Sequence, residues 1–262
     1  MPMADHSADH AGGVALRLLG SVRELDGDEV PDLYGYPAEH DGAWLRANFV
    51  ASLDGGATFG GRSGQLGGSG DRAVFGVLRE LADVILVGAG TVRAEGYSGA
   101  RPDVAQRQRR QNRGQNEVPQ LAIVTKSGRL ERDMPVFTRT EVPPLVCTCT
   151  AAVEQTRSRL AGLAEVVDCS ADDPAELDCA ALLAVLAGRG LPRILTEGGP
   201  TLFSSFVEQG LLDELCLTIA PTLVGGQAGR IATGPGQVLT GMHCAHVLTD
   251  DDGYLYTRYV RA

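Results

Sequence analysis

One lysine, Lys126, and one tryptophan, Trp44, occur in 262 residues, and aromatic residues make up only 5%. Positive charge is therefore almost all arginine, and the formal net charge is still −10. That sign argues against a nucleic-acid binder, whose affinity rests on neutralising phosphates. No apolar run approaches the ~20 residues that a bilayer requires. The start, "MPMADHSADHAGG", carries acids and histidines where a signal peptide carries basic residues ahead of an apolar stretch. A cytoplasmic protein without a membrane partner is expected. The six cysteines are scattered and form no CxxC pair, so a zinc site or disulfide framework is not expected. Neither a G-x-S-x-G elbow nor a G-x-x-x-x-G-K-[ST] loop is present. The histidines, His6, His10, His40, His243 and His246, lie outside the motifs that follow and are expected to be surface or internally satisfied residues, with no metal.

What is present is alternation of strand and helix. Residues 1–42 hold few periodic signals and are expected to form an N-terminal extension to a domain over 43–262. "WLRANFVASLDG" predicts a strand with Leu45, Ala47, Phe49 and Ala51 on one face. A glycine-dense loop follows, and "DRAVFGVLRELA" places Val74, Phe75, Leu78 and Leu81 on one helical stripe. Val84 to Val87 is uniformly apolar, as suits a central parallel strand covered on both faces. Further strands are expected at Leu121 to Thr125, Leu145 to Thr148, Glu165 to Val167 and Arg193 to Thr196. Helices are expected around 151–161, 176–188 and 200–209. The tail reads differently: "DELCLTIAP" alternates, and "AHVLTDDDGYLYTRYV" predicts two strands joined at an Asp-Gly turn. The class is α/β, mostly parallel, with antiparallel C-terminal strands. "RPDVAQRQRRQNRGQNEVP" has no apolar face; its arginines predict a solvated loop or frayed helix, or contact with a ligand phosphate.

Two junctions share one design. "VILVGAGTV" and "RILTEGGPTLF" each run from a buried strand through glycines into a helix start, where free amides and the helix dipole favour an anion. Gly88 and Gly90 in the first, and Gly198, Gly199, Pro200, Thr201 and Leu202 in the second, are candidate phosphate cradles; tight strand-to-helix turns would also need such glycines. Glu197, an acid at the carboxyl end of a buried strand, sits where open α/β sheets bind ligands. Asp54 in "SLDG" is either a turn residue or, if its strand neighbours that of Glu197, a second carboxylate in the same crevice. Ser52 of that turn joins them as a candidate substrate contact.

Together, "FVASLDGGAT", "LRELADVILVGAGTVRAE" and "ILTEGGPTLFSSFVEQGLLDELCLTIAPTLVGG" resemble the reductase domain of bacterial bifunctional riboflavin-biosynthesis deaminase/reductases, over about residues 44–260. The resemblance implies a three-layer dihydrofolate-reductase-like fold, NADPH as cofactor and a homodimer. The implied reaction is hydride transfer to the ribosyl carbon of 5-amino-6-(5-phosphoribosylamino)uracil or a close analogue. It implies cofactor contacts from Ala51, Thr91, Glu95 and the 199–205 turn. Substrate contacts are implied from Ser63, Arg79 and Glu197, with Arg79 at the substrate phosphate. Three positions depart from the family pattern: Gly56 replaces a basic residue, Gln65 an aromatic, and Glu95-Gly96-Tyr97 an Asp-x-Pro. Two other functions stay open: a dihydrofolate-type reductase on a pterin, and a nucleotide-binding regulator without catalysis.

Overall fold

The computed structural model describes residues 23–26 and 29–262. His6, His10 and most of the expected extension therefore lie outside the described residues. In chain order the elements are α1 (Glu29–Leu33), β1 (Trp44–Ser52), α2 (Ser69–Leu81), β2 (Val84–Gly88), α3 (Ala89–Glu95), α4 (Val104–Asn112), β3 (Gln120–Val124), α5 (Pro135–Thr138) and β4 (Leu145–Thr148). They continue with α6 (Thr150–Leu160), β5 (Glu165–Asp168), α7 (Cys179–Gly188), β6 (Arg193–Thr196), α8 (Pro200–Glu208), β7 (Glu214–Ala220), β8 (Met242–Thr249) and β9 (Leu255–Arg261). No helix among the described residues is long and apolar enough to cross a membrane.

One nine-stranded sheet has the order β5-β4-β3-β2-β6-β1-β7-β9-β8. β1 to β7 run parallel; β9 is antiparallel to both β7 and β8. The unbroken apolar run of β2 follows from burial on both faces. Val84 and Leu86 pack with α7 and α8, whereas Ile85 and Val87 pack with α3, α5 and α6 on the other side. α2 lies on this second face, where Val74, Leu78 and Leu81 meet Leu195 of β6 and Cys216 of β7. Phe75, expected on that stripe, is only half-buried: it lies under the Arg79 guanidinium, 4.2 Å from carbon to ring centroid.

The N-terminal segment is built into the domain at 33–36. Tyr34 is fully buried against α2 and β9. Beneath it lies a charged centre that no water reaches: Arg46 and Glu214 are both 0% exposed, with Nε 2.7 Å from Oε1 and Nη2 donating to Oε2 at 3.0 Å. Arg258 Nε donates to the same carboxylate at 2.8 Å, and its Nη1 donates to the Leu33 carbonyl at 2.6 Å. The Tyr36 ring covers Arg46 at 3.9 Å.

The arginine-rich segment is a capped helix. Asp103 accepts from the Gln106 amide at 2.8 Å while Gln106 Oε1 accepts from the Asp103 amide at 2.9 Å, a reciprocal capping box. Its buried side is arginine instead of hydrocarbon. Arg110 donates to the carbonyls of Glu80 and Ala82 at 2.6 Å each and of Asn116 at 2.8 Å, satisfying the orphan carbonyls at the end of α2. Arg109 and Arg113 each donate to the Glu80 carboxylate at 2.7 Å, and Arg107 pairs with Glu141 at 2.8 Å. Arg109, Arg110 and Arg113 thus brace α2, whereas Arg107 reaches Glu141 and Glu117. Arg110→Met is expected to lower stability by about 2–3 kcal/mol, because buried acceptors lose their donor; denaturant unfolding measures it.

Candidate active site

A cleft of ≈ 380 Å³ opens at the carboxyl ends of the central parallel strands. Side-chain alternation builds its floor. Glu197 follows Leu195 onto the α2 face, and Asn48 and Val50 of β1 point the same way in the neighbouring register. α2 supplies one wall with Asp71, Arg72, Phe75 and Arg79, and the end of α3 supplies the opposite wall with Thr91, Glu95 and Tyr97.

Glu197 is buried and fully engaged. Arg79 donates to both its oxygens, Nε to Oε1 and Nη2 to Oε2, each at 2.6 Å, and the Tyr97 hydroxyl donates to Oε2 at 2.6 Å. This two-pronged pairing is the geometry that the planar guanidinium favours. Burial, with the charge of Glu197 beside it, pushes the Tyr97 phenol well up, so it stays a donor through neutral pH. Arg79, expected at a substrate phosphate, thus has its Nε and Nη2 engaged by Glu197. Tyr97 had no expected role, since it stands where the family pattern has a proline.

The two glycine junctions meet. The Gly88 amide donates to the Gly198 carbonyl at 2.8 Å, and the Thr91 hydroxyl accepts from the Gly199 amide at 2.9 Å. Gly198 and Gly199 hold φ of 118° and 44°, and α8 starts with Pro200 and no side-chain cap. Its first-turn amides at Thr201 and Leu202 therefore have no acceptor from a side-chain cap. Gly90, in the first turn of α3, has open space where a Cβ would stand. Gly198→Ala would force an L side chain into a backbone region that such residues avoid. A loss of about 1–3 kcal/mol is expected, measured by thermal melting with NADPH present and absent.

Of the other expected residues, Ser63 and Glu95 line the cleft, whereas Ala51, Ser52 and Asp54 lie outside its lining. Ser63 and Glu95 bond each other: Glu95 Oε1 accepts from the Ser63 amide at 2.9 Å and from its hydroxyl at 3.0 Å, pinning the glycine-dense loop to α3. β1 does lie beside β6, but Asp54 turns away from Glu197. It accepts from the Ser52 hydroxyl at 2.5 Å and from the amides of Val224 and Gly225 at 3.1 and 2.7 Å. Those bonds, that of Ser52 first, hold its carboxyl down at about 2. Ser52 is buried, its hydroxyl also accepting from the Gly56 amide at 2.9 Å. Ala51 is buried beside it outside the cleft lining. A Cβ at Gly56 would stand 3.0 Å from both Ala228 Cβ and Ser52 Oγ, so the basic residue of the family pattern would require its neighbours to shift here.

The fold is thus a three-layer α/β domain with a mostly parallel sheet, antiparallel C-terminal strands and a strand-end acid beside a glycine turn. The chain belongs to the RibD C-terminal domain family, which matches residues 43–256. The 2,5-diamino-6-ribosylamino-4(3H)-pyrimidinone 5′-phosphate reductase of Archaeoglobus fulgidus is 29% identical over 185 residues, 70% of this chain and 83% of that one. The enzyme of the same name from Methanothermobacter thermautotrophicus is 30% identical over 183 residues, covering 70% and 80%. The crystal structure of a pyrimidine reductase-like protein from Corynebacterium diphtheriae superposes with a TM-score of 0.74 at 28% identity, covering 84% of this chain and 92% of that one.

Proposed function

We propose that this chain is an NADPH-dependent reductase of a phosphorylated ribosylaminopyrimidine, the reaction of riboflavin biosynthesis that turns a ribosyl into a ribityl side chain. The observation that carries this reading is the juxtaposition of the Arg79–Glu197–Tyr97 cluster with the paired glycine junctions at one sheet edge. Names borne by relatives at 29% and 30% identity support the substrate class.

The residues present fit the cofactor. The turn at Gly198 and Gly199 carries no side chain, the uncapped start of α8 suits a diphosphate, and Asn48 Oδ1 is a buried acceptor without a partner on the cleft floor. NADPH, when bound, supplies a hydride. Gly198 to Leu202 and Thr91 would hold it, and Phe49, packed on Phe203 at 4.6 Å between ring centroids, backs that side of the cleft. On the other side α2 and Glu197 enclose the substrate. At the opened sugar, a C–H bond forms at the ribosyl carbon, the π pair of its C=N bond passes to nitrogen, and that nitrogen takes a proton. The protein's main contribution is alignment of two molecules, an effect that can supply ~7–11 kcal/mol of a barrier. A homodimer belongs to this reading through the family resemblance.

The test is loss of NADPH absorbance with the phosphoribosylaminopyrimidines and dihydrofolate offered separately. Turnover of a pyrimidine supports the reading; turnover of dihydrofolate alone would retain the cofactor site and overturn the substrate class.

A further inference from the structure

Of the described residues that line the cleft, Asn48 alone holds a buried polar atom without a hydrogen-bond partner, its Oδ1. The residue is 9% exposed and sits in the floor. Asp71, Arg72 and the second carboxylate oxygen of Glu95 belong to the same cleft, but none of them is a buried atom left unpaired. Arg79, Glu197 and Tyr97 close on one another. A buried carbonyl acceptor that the fold leaves unpaired is stabilised when a ligand brings it an N–H.

Two molecules would share the cleft, and the alternation of β1 decides which of them Asn48 meets. Phe49 turns to the α8 side, against Phe203, where the glycine turn would hold the cofactor. Asn48 turns the other way, to the face shared by Cys216 and α2, which would hold the substrate. Its register puts it beside Glu197: Ala47 pairs with Thr196, and each strand runs on by one residue to Asn48 and Glu197. The Glu197 carboxylate already accepts three donors out of about four positions. Little of it is left to read a ring, whereas the Oδ1 of the carboxamide next to it is untouched.

Resting on the reductase reading above, we propose that Asn48 recognises the heterocycle of the substrate by pairing with its lactam edge. Oδ1 accepts from the ring N3–H, and Nδ2 donates to the adjacent ring carbonyl, the reciprocal pairing that a carboxamide makes with a donor and an acceptor side by side. The 5-amino-uracil and 2,5-diamino-pyrimidinone forms both carry that edge, so the pairing is indifferent to the group at C2. The class taken is a six-membered lactam with a free ring N–H, and a ring alkylated on that nitrogen is rejected.

The experiment titrates 6-ribitylaminouracil and its N3-methyl derivative into the native chain and into Asn48→Leu, a side chain of similar outline without an acceptor. The native chain is expected to prefer the free N–H by about 10²-fold, as for a buried acceptor that loses its donor. In Asn48→Leu the two compounds are expected to bind within about 3-fold of each other, because the unmethylated one is weakened. NADPH binding is expected to stay within about 2-fold, and kcat/KM for the phosphoribosylaminopyrimidine to fall about 10–10²-fold, chiefly through KM. Asn48→Ala, which adds no bulk, is expected to give the same loss of preference, so a folding failure of the leucine variant leaves the test intact. An unchanged preference, equal weakening of both compounds, or no native preference overturns the proposal. Weaker NADPH binding with the ring preference intact also overturns it, since Asn48 would then meet the nicotinamide. Turnover separates this from failure of the reductase reading. If the native chain reduces neither phosphoribosylaminopyrimidine, that reading falls, while an N–H preference abolished in Asn48→Leu still assigns the lactam to Asn48. If the native chain reduces one of them and Asn48→Leu does so with kcat/KM unchanged, the reductase reading stands and the proposal is overturned.

Discussion

Glu197→Gln is expected to lower kcat/KM for the pyrimidine by about 10²–10³-fold, the range seen when one preorganised polar group of an active site is removed. The substitution preserves shape, so its effect is electrostatic. The carboxylate accepts three bonds of 2.6 Å, from Arg79 Nε, Arg79 Nη2 and the Tyr97 hydroxyl. A carboxamide offers one acceptor and turns an NH₂ toward a donor. Arg79, whose charge burial opposes and Glu197 sustains, then stands in the cleft without its counter-charge. Steady-state kinetics checks this, with NADPH binding measured in parallel and expected to stay within about 3-fold, because the glycine turn that would hold the cofactor does not depend on the Glu197 carboxylate. Unchanged turnover would remove Glu197 from the mechanism.

Glu214→Gln is expected to cost about 3–5 kcal/mol of folding stability, the loss typical of breaking a buried ion pair from one side. Neither Arg46 nor Glu214 touches solvent, and Arg258 closes the group. Gln at 214 leaves two guanidinium groups without a counter-charge. At roughly 2–4 °C per kcal/mol for a domain of this size, the melting temperature falls by about 10 °C. The acid limb supplies a second signature. Burial would raise the Glu214 carboxyl, but Arg46 and Arg258 outweigh it and hold it below its ordinary value. Its stabilisation is therefore complete above the unfolded carboxyl pKa of about 4.3 and is lost as pH falls below that toward the folded value. In Glu214→Gln that part of the pH dependence disappears. Replacing all three charges by apolar residues of similar volume is expected to recover most of the loss, since no stranded charge remains.

The strand and helix order was legible because burial leaves a period in the sequence, and β2 shows why even an unbroken run is informative: both its faces are covered. Glu197 was legible for the same reason, as an acid ending a buried strand before glycines. The arginine-rich helix was not, since its packed side is made of guanidinium groups bonded to carbonyls, which hydrophobic periodicity ignores. Its Asp103-x-x-Gln106 box was a usable signal for the helix start. Tyr34 joins the core through a five-residue helix too short to show a stripe. Tyr97 could not be placed from spacing, because it meets Glu197 across 100 positions of chain. Asp54 satisfied the condition set for a second site carboxylate, a strand beside that of Glu197, yet its side chain caps the turn at Val224 and Gly225.

The strand order bears on how the chain assembles. β2, β3, β4 and β5 are neighbours in sequence as well as in space, and can zip in the order in which they are made. β1 cannot: its partners are β6, beginning at Arg193, and β7, beginning at Glu214. The earliest strand thus depends on late ones, and Leu45, Ala47 and the charged Arg46 wait unpaired until some 150 further residues have followed. Distant pairing of this kind slows folding and prolongs exposure of an apolar strand. Nascent chains halted before β6 are expected to be the aggregation-prone and chaperone-bound species, whereas chains that have passed β7 close the centre of the sheet in one step.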